Sequence, residues 1–393
     1  MTERAEIEVE PACGWSEREL LLFVANCFRS DCPDGRTEQI QRQMLSNAAR
    51  WPQIVDFANH ELLAPTLWAA LSEKSLTSVV PASSAGRLRR AHALNGIRNE
   101  RIRAELEAIL RALNAVGIVP VLLKGAVDLY VSRYSDPAAR VLRDLDLFVL
   151  KPDHERAIAA LAHLQYQVKE RAAGWLTYSN DLIRKGALMP VDLQWFISGQ
   201  RDLLSPEDAW VDAPIHRVGD VEFRTLSPEH QVIHNLLHSE LQDRGSDVGF
   251  VWLRQLLDFA ALCRLHQRSI DWEKVRERFA RHGLERVLVG RLYMANRLLG
   301  LSMPPGVRPT LGARLHYVRC LAILRWRWSM ALARFAATTL SPLDGRLLGV
   351  IYDDASGRPA QLAWLRLKHG LRLFRHYGGS LPQVFRDRGK KFT

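Results

Sequence analysis

Apolar residues recur at helical intervals through most of this chain and change to strand-like runs in one central block. Ser16 and Glu19, ahead of the apolar run 20–28, have the spacing of a capping box, in which each side chain satisfies the other residue's backbone N–H, so a helix is predicted to start there. Helical spacing returns over 51–71 and over 87–116, where Leu94, Ile97, Ile102, Leu106, Ile109, Leu110 and Leu113 form the periodic set. Gly117 then stops the helix, and 118–123 is a short β-branched run that suits a buried strand. Further strands are predicted at 144–150 and 189–197, with a helix between them at 154–164 opened by Pro152-Asp153. The stretch 174–195 allows a pair of antiparallel strands. Only the block 117–215 reads as α/β.

From Ser227-Pro228-Glu229 onward the helical pattern resumes over 230–242, 251–266, 272–282 and 284–299, breaks near Pro304-Pro305, and ends in a basic helix over 359–376. The expected fold class is α+β and mostly helical, with a small mixed β-sheet core. Its expected divisions are an N-terminal helical region 1–90, an α/β core 91–215 and a C-terminal helical region 216–393.

With 393 residues, 47% of them hydrophobic and 25% charged, the chain has the length and composition of a globular protein with sizeable cores, not of a disordered or collagen-like one. Five cysteines without CxxC spacing argue against a disulfide framework or a structural zinc site, and they point to a reducing, cytoplasmic setting. The acidic start lacks a signal peptide's apolar core. The longest apolar stretch, 317–340, is interrupted by Arg319, Arg325, Arg327 and Arg334, so no transmembrane span is expected. A net charge of +11 favours anionic partners.

Lys124 ends the first strand and is followed by Gly125, where backbone N–H groups can approach phosphate oxygens and the lysine adds a point charge. Asp144 and Asp146 are two apart, so a strand projects both carboxylates from one face, with Leu145, Leu147 and Val149 on the other. Side-by-side anions repel unless a cation lies between them, and Mg²⁺ combines carboxylate with phosphate oxygens. Asp192 lies in the apolar run 188–196, where an ionised carboxylate is costly unless paired or metal-bound. If its strand lies beside that of Asp144, three acids converge in the arrangement that two-metal nucleotidyl transfer uses.

The order Leu123-Lys124-Gly125-Ala126, Arg140-x-x-x-Asp144-Leu145-Asp146 and Val191-Asp192-Leu193 resembles the uncharacterised nucleotidyltransferases of the DNA polymerase β-like superfamily. The resemblance extends to the helical segments 51–71 and 87–116, and to His234, His238, Arg254 and Asp258. It implies that Asp144, Asp146 and Asp192 are the catalytic, metal-binding acids, with Mg²⁺ or Mn²⁺ as the ion. It implies too that Gly125 contacts the nucleotide triphosphate, with Lys124 and Arg140 as phosphate-side or structural supports. The chain departs from the family pattern at Ala126, where a serine is usual, at Gln194, where related sequences often have histidine, and in the long segment between Gly125 and Asp144.

The expected activity is transfer of a nucleoside monophosphate from an NTP to an unidentified acceptor, whether small molecule, peptide, glycan or nucleic acid. The alternative is a catalytically silent relative that binds nucleotide or a protein partner as a scaffold. His230, His234 and His238 recur every four residues but lack a fixed thiolate or acidic companion, so they read as ordinary helix histidines rather than a zinc site. Arg254 and Asp258 read as an intrahelical ion pair. The basic C-terminal helix reads as packed on the body with a solvated face, with peripheral membrane contact as the other reading.

Overall fold

The computed structural model describes residues 14–29, 36–169, 179–197, 203–242, 245–325 and 358–377. Helix α1 (Glu17–Cys27) begins on the expected capping box: Ser16 Oγ accepts from the Glu19 N–H, and the Glu19 carboxylate accepts from the Ser16 N–H. It is followed by α2 (Arg36–Ser46), α3 (Trp51–His60) and α4 (Ala64–Glu73). Phe23 of α1 meets Trp15 and, edge to face, the fully buried Trp51 at 5.8 Å.

Helix α5 (Ala82–Ala115) runs 34 residues, about 50 Å at 1.5 Å per residue. Its second half buries Ile102, Leu106, Ile109, Leu110 and Leu113 as the periodicity requires. Toward its middle, by contrast, Leu94 and Ile97 are exposed and Asn95 and Asn99 are buried. The reason is polar: Asn95 donates to the Ala138 and Arg140 carbonyls, and Asn99 to those of Pro137 and Arg140, pinning the loop that leads to the site.

The strands are β1 (Val121–Leu122), β2 (Leu145–Phe148), β3 (Gln167–Val168), β4 (Ser179–Ile183), β5 (Val191–Gln194), β6 (Ile215–Val218) and β7 (Val221–Thr225). They form one mixed sheet in the order β3-β4-β5-β2-β1-β7-β6. β4 and β5 are antiparallel, as 174–195 allows, although 170–178 lies outside the described residues. The hairpin β6–β7 falls at and beyond the end of the block read as α/β, and β7 joins the sheet parallel to β1. A single helical turn, α6 (Lys124–Val127), follows β1, while α7 (Lys151–Ala162) fills the link from β2 to β3.

Alternation along the strands sorts the two sheet faces. Leu122, Leu145, Leu147, Val149, Val191, Leu193 and Phe223 pack with the second half of α5 and with α7. Val121, Leu123 and Phe148 point the other way, into the large core shared with the flanking helices. Those helices include α8 (Pro206–Val211), α9 (Pro228–Leu236), which runs into a π-helical turn over Leu237–Gln242, α11 (Leu253–Leu265), α12 (Trp272–Arg281), α13 (Glu285–Leu299) and α14 (Leu311–Ile323); among the described residues, the short helix over Gly245–Val248 (α10) and α15 (Pro359–Tyr377) contribute no side chain to that core. The fold is thus α+β and mostly helical, with the sheet held between α5/α7 and the helical body. Among the described residues no helix is long and apolar enough to cross a membrane. Part of the 317–340 stretch, from 326 on, lies outside them, as do Cys13 and Cys32; Cys27, Cys263 and Cys320 are buried free thiols.

Candidate active site

Asp146 and Asp192 occupy adjacent parallel strands, β2 and β5, and are direct register partners. Both project from the face that carries Phe148, toward the helical body, because their neighbours Leu145, Leu147, Val191 and Leu193 fill the opposite core. Asp146 is fully buried and Asp192 half-buried, while Asp144 stands exposed just before β2. Lys124 comes in from the β1 end: its Nζ lies 2.5 Å from Asp146 Oδ1. Gln194 Nε2 donates to Asp146 Oδ1 at 3.1 Å and to Asp192 Oδ2 at 2.7 Å, a single amide spanning both carboxylates.

The electrostatics of this group are strained by burial. Burial lifts the Asp146 carboxyl to about 6, against the pull of Lys124 and with reinforcement from Asp144 and Asp192. Burial also disfavours the Lys124 ammonium, but Asp146, Asp144 and Asp192 more than offset it and hold its pKa above the ordinary value. Lys124 adopts φ 45°, an uncommon left-handed conformation for a residue with a side chain, and Arg133 Nη2 donates to its carbonyl at 2.9 Å.

The second oxygens of both acids matter most for a cation. Asp146 Oδ2 and Asp192 Oδ1 are buried without a hydrogen-bond partner, an expensive state for acceptors unless something electropositive is supplied. Among the described residues no three or more His, Cys, Asp or Glu side chains cluster closely enough to hold a metal by themselves. Mg²⁺ takes one or two protein carboxylates and completes its shell with water and substrate phosphate, so two orphaned oxygens in register fit it.

Gly125 and Arg140 belong to a neighbouring ion network. A Cβ on Gly125 would lie 2.1 Å from Arg140 Nη1, so the close approach that demands glycine here is that of a guanidinium. Arg140 pairs with Asp258 of α11 at 2.8 Å and with Asp128 at 3.1 Å; Arg133 pairs with Asp128 at 2.5 Å, and Tyr134 donates to Asp258 at 2.7 Å. Burial works against the Asp258 carboxylate, but Arg140 and Arg133 outweigh it and hold its pKa well below the usual range. The long segment between Gly125 and Asp144 is therefore a built strap that carries Tyr134 and Arg140 onto Asp258 of α11 and ties Arg133 back to Asp128 and the Lys124 carbonyl, and Thr66 fixes it again through the Ala139 carbonyl.

The partner of Asp258 is thus Arg140 rather than Arg254. Arg254 is half-buried, lacks a carboxylate within pairing distance among the described residues, and makes only a long 3.5 Å hydrogen bond to the Val141 carbonyl. Burial lowers its pKa, with nearby Arg140 adding to the effect, while Asp258 and Asp144 pull the other way. His234 is buried and held well below the ordinary imidazole range by burial, then by Lys124, His238 and Arg133. His238 contacts Gln255 at 3.3 Å, and His230 turns to Arg278 at 3.3 Å, so the three histidines do not share a site. Spacing along the chain did not place Arg254 or Arg133 here: Arg254 reads as the partner of Asp258 four residues on, and Arg133 has Asp136 three residues on, so neither stands out as a cation in need of a distant role.

A family model described as uncharacterised nucleotidyltransferase matches residues 47–300. No curated protein and no solved structure matches the chain.

Proposed function

The chain belongs to the uncharacterised nucleotidyltransferase family, and from that premise we propose that it transfers a nucleoside monophosphate from an NTP to an acceptor hydroxyl, amine or phosphate, using a divalent ion. The observation that carries the reading is the pair of buried, unpartnered oxygens on Asp146 and Asp192, in register on adjacent strands at the end of a cationic turn. Asp146 and Asp192 would hold Mg²⁺ or Mn²⁺, with Asp144 at the mouth adding negative charge. When bound, the ion would offset the carboxylate charge and draw electron density from the α-phosphate.

The chain's own side chains have separable tasks. Lys124 and Arg254 supply positive charge toward the triphosphate, and Gln194 fixes the relative orientation of the two acids. The acceptor's oxygen or nitrogen attacks the α-phosphorus, the bond to the α–β bridging oxygen breaks and pyrophosphate leaves; a hydroxyl or amine acceptor also gives up a proton, which passes to Asp192 and on to solvent. Gly125 and Arg140 act one layer back, by keeping the Lys124 turn and α11 in a fixed relation.

A second reading has its own observation. Lys124 Nζ already sits on Asp146 Oδ1, where a cation would otherwise be, and this favours a nucleotide-binding scaffold without turnover. Incubation of each NTP with Mg²⁺ or Mn²⁺ and a pool of acceptors, read as pyrophosphate release, separates the two. Release that disappears in Asp146→Asn and Asp192→Asn supports transfer. NTP binding without release under every condition favours the scaffold.

A further inference from the structure

The positive charge of this chain is concentrated at one end. Residues 286–393 hold 19 Lys and Arg against four Asp and Glu, whereas residues 1–285 hold 35 against 39 and are slightly acidic. The net +11 therefore comes wholly from the C-terminal part, and between Glu285 and Asp344 there is no acid at all.

Two helices of that part turn apolar side chains to solvent at helical spacing. On α14 these are Leu311, Leu315 and Val318, at i, i+4 and i+7, and on α15 they are Trp364, Leu367 and Leu371, at i, i+3 and i+7; all six are between 52% and 72% exposed. The other face of each helix is buried, through Ala313, Cys320 and Leu321 on α14 and Leu365 and His369 on α15. The packed-helix reading of the C-terminal segment therefore accounts for only one side of α15. Exposed cations flank the stripes, Arg314 on α14 and Arg366 and Lys368 on α15.

Isolated exposed leucines are ordinary, but two regular stripes within a strongly basic region need an explanation. A nucleic-acid backbone would use the cations and gain little from Leu311, Leu315 and Val318. An anionic bilayer uses both, taking the stripe into the headgroup boundary while Lys and Arg meet lipid phosphates. Interfacial binding strengthens with the apolar area buried and with attraction to anionic lipid, and each helix offers both an apolar stripe and flanking cations. Neither helix is long and apolar enough to cross the bilayer.

We propose that α14 and α15 dock the protein peripherally on an anionic lipid surface, through Leu311, Leu315 and Val318 and through Trp364, Leu367 and Leu371. The docking is independent of the nucleotide chemistry and stands or falls separately from it.

The test is flotation of the full-length protein with vesicles of phosphatidylcholine alone and of equimolar phosphatidylcholine and phosphatidylglycerol. The expected result is flotation with the mixed vesicles only. Serine at Trp364, Leu367 and Leu371 together, or at Leu311, Leu315 and Val318 together, reduces it while the circular dichroism spectrum stays that of the wild type. Arg366→Gln/Lys368→Gln, which leaves both stripes intact, lowers partitioning about 25-fold, at about fivefold per cation. The proposal is overturned by absent flotation, by equal flotation with neutral vesicles, or by binding that the stripe variants leave undiminished. A mobility shift of single-stranded RNA or duplex DNA without vesicle binding overturns it too, in favour of a nucleic-acid partner.

Discussion

Alanine at Gly125 tests whether that glycine exists to admit Arg140. The added Cβ would lie 2.1 Å from Arg140 Nη1 and 3.1 Å from Cζ, well inside contact, so the guanidinium has to move. The end of an arginine side chain normally moves at little cost, but this one is 11% exposed and bound to Asp128 and Asp258, whose side chains are 4% and 7% exposed. Removing it outright in Arg140→Ala leaves Asp258 buried without its cation, a loss of about 3–5 kcal/mol. Gly125→Ala displaces the guanidinium rather than deleting it, and Tyr134 still donates to Asp258, so the cost is about 2–4 kcal/mol. With Arg140→Ala in place the Cβ meets vacated space, and adding Gly125→Ala then changes stability by no more than about 0.5 kcal/mol. Urea midpoints of the wild type, both single variants and the double variant, compared at unchanged slope, give the coupling directly. Additive costs would refute the reasoning. So would a Gly125→Ala protein of wild-type stability that has lost only NTP binding, since the glycine would then serve phosphate approach instead.

Two further outcomes follow from the same network and its neighbour. Asp258 titrates below the ordinary carboxylate value of 3.8, so its stabilising contribution is complete above that pH and is lost as pH falls through the folded value; the stability gap between wild type and Asp258→Asn, measured by urea unfolding across pH, should be constant near neutrality and shrink below about pH 4. A gap that widens on acidification would contradict the assignment. Arg254→Ala should leave the unfolding midpoint unchanged or slightly raised, because it removes a half-buried cation without a carboxylate partner, while weakening NTP binding roughly 10- to 150-fold, the range of one charged hydrogen bond. Unchanged NTP affinity in that variant would remove Arg254 from the site.

Much of this architecture is written locally in the chain. The capping box at Ser16 and Glu19, the strand-like alternation at Asp146 and Asp192 and the helix-to-strand change at Gly117 each depend on residues a few positions apart, and each element formed where that local physics places it. The hairpin β6–β7 was legible in principle, since Val221, Phe223 and Thr225 alternate with Glu222 and Arg224 behind a Gly219-Asp220 turn. Its first strand, however, has an exposed edge without a clear apolar face. The burial of Asn95 and Asn99 in place of Leu94 and Ile97 was not legible, because it answers to carbonyls about forty residues away. The same holds for Asp258, whose cation is 118 residues distant while a tempting arginine stands four positions off. Spacing identified which carboxylates share a strand face, and only the sheet register brought Asp146 and Asp192 side by side.

The most direct test of metal-dependent nucleotide chemistry at this site is calorimetric titration of each NTP into the wild type and into Asp146→Asn/Asp192→Asn, with Mg²⁺ or Mn²⁺ and again with chelator. Binding of one NTP by the wild type only when the ion is present, lost in the double variant, is the predicted result. Binding that persists unchanged in chelator, or in the double variant with metal, would place the nucleotide elsewhere and contradict the role given to these two carboxylates.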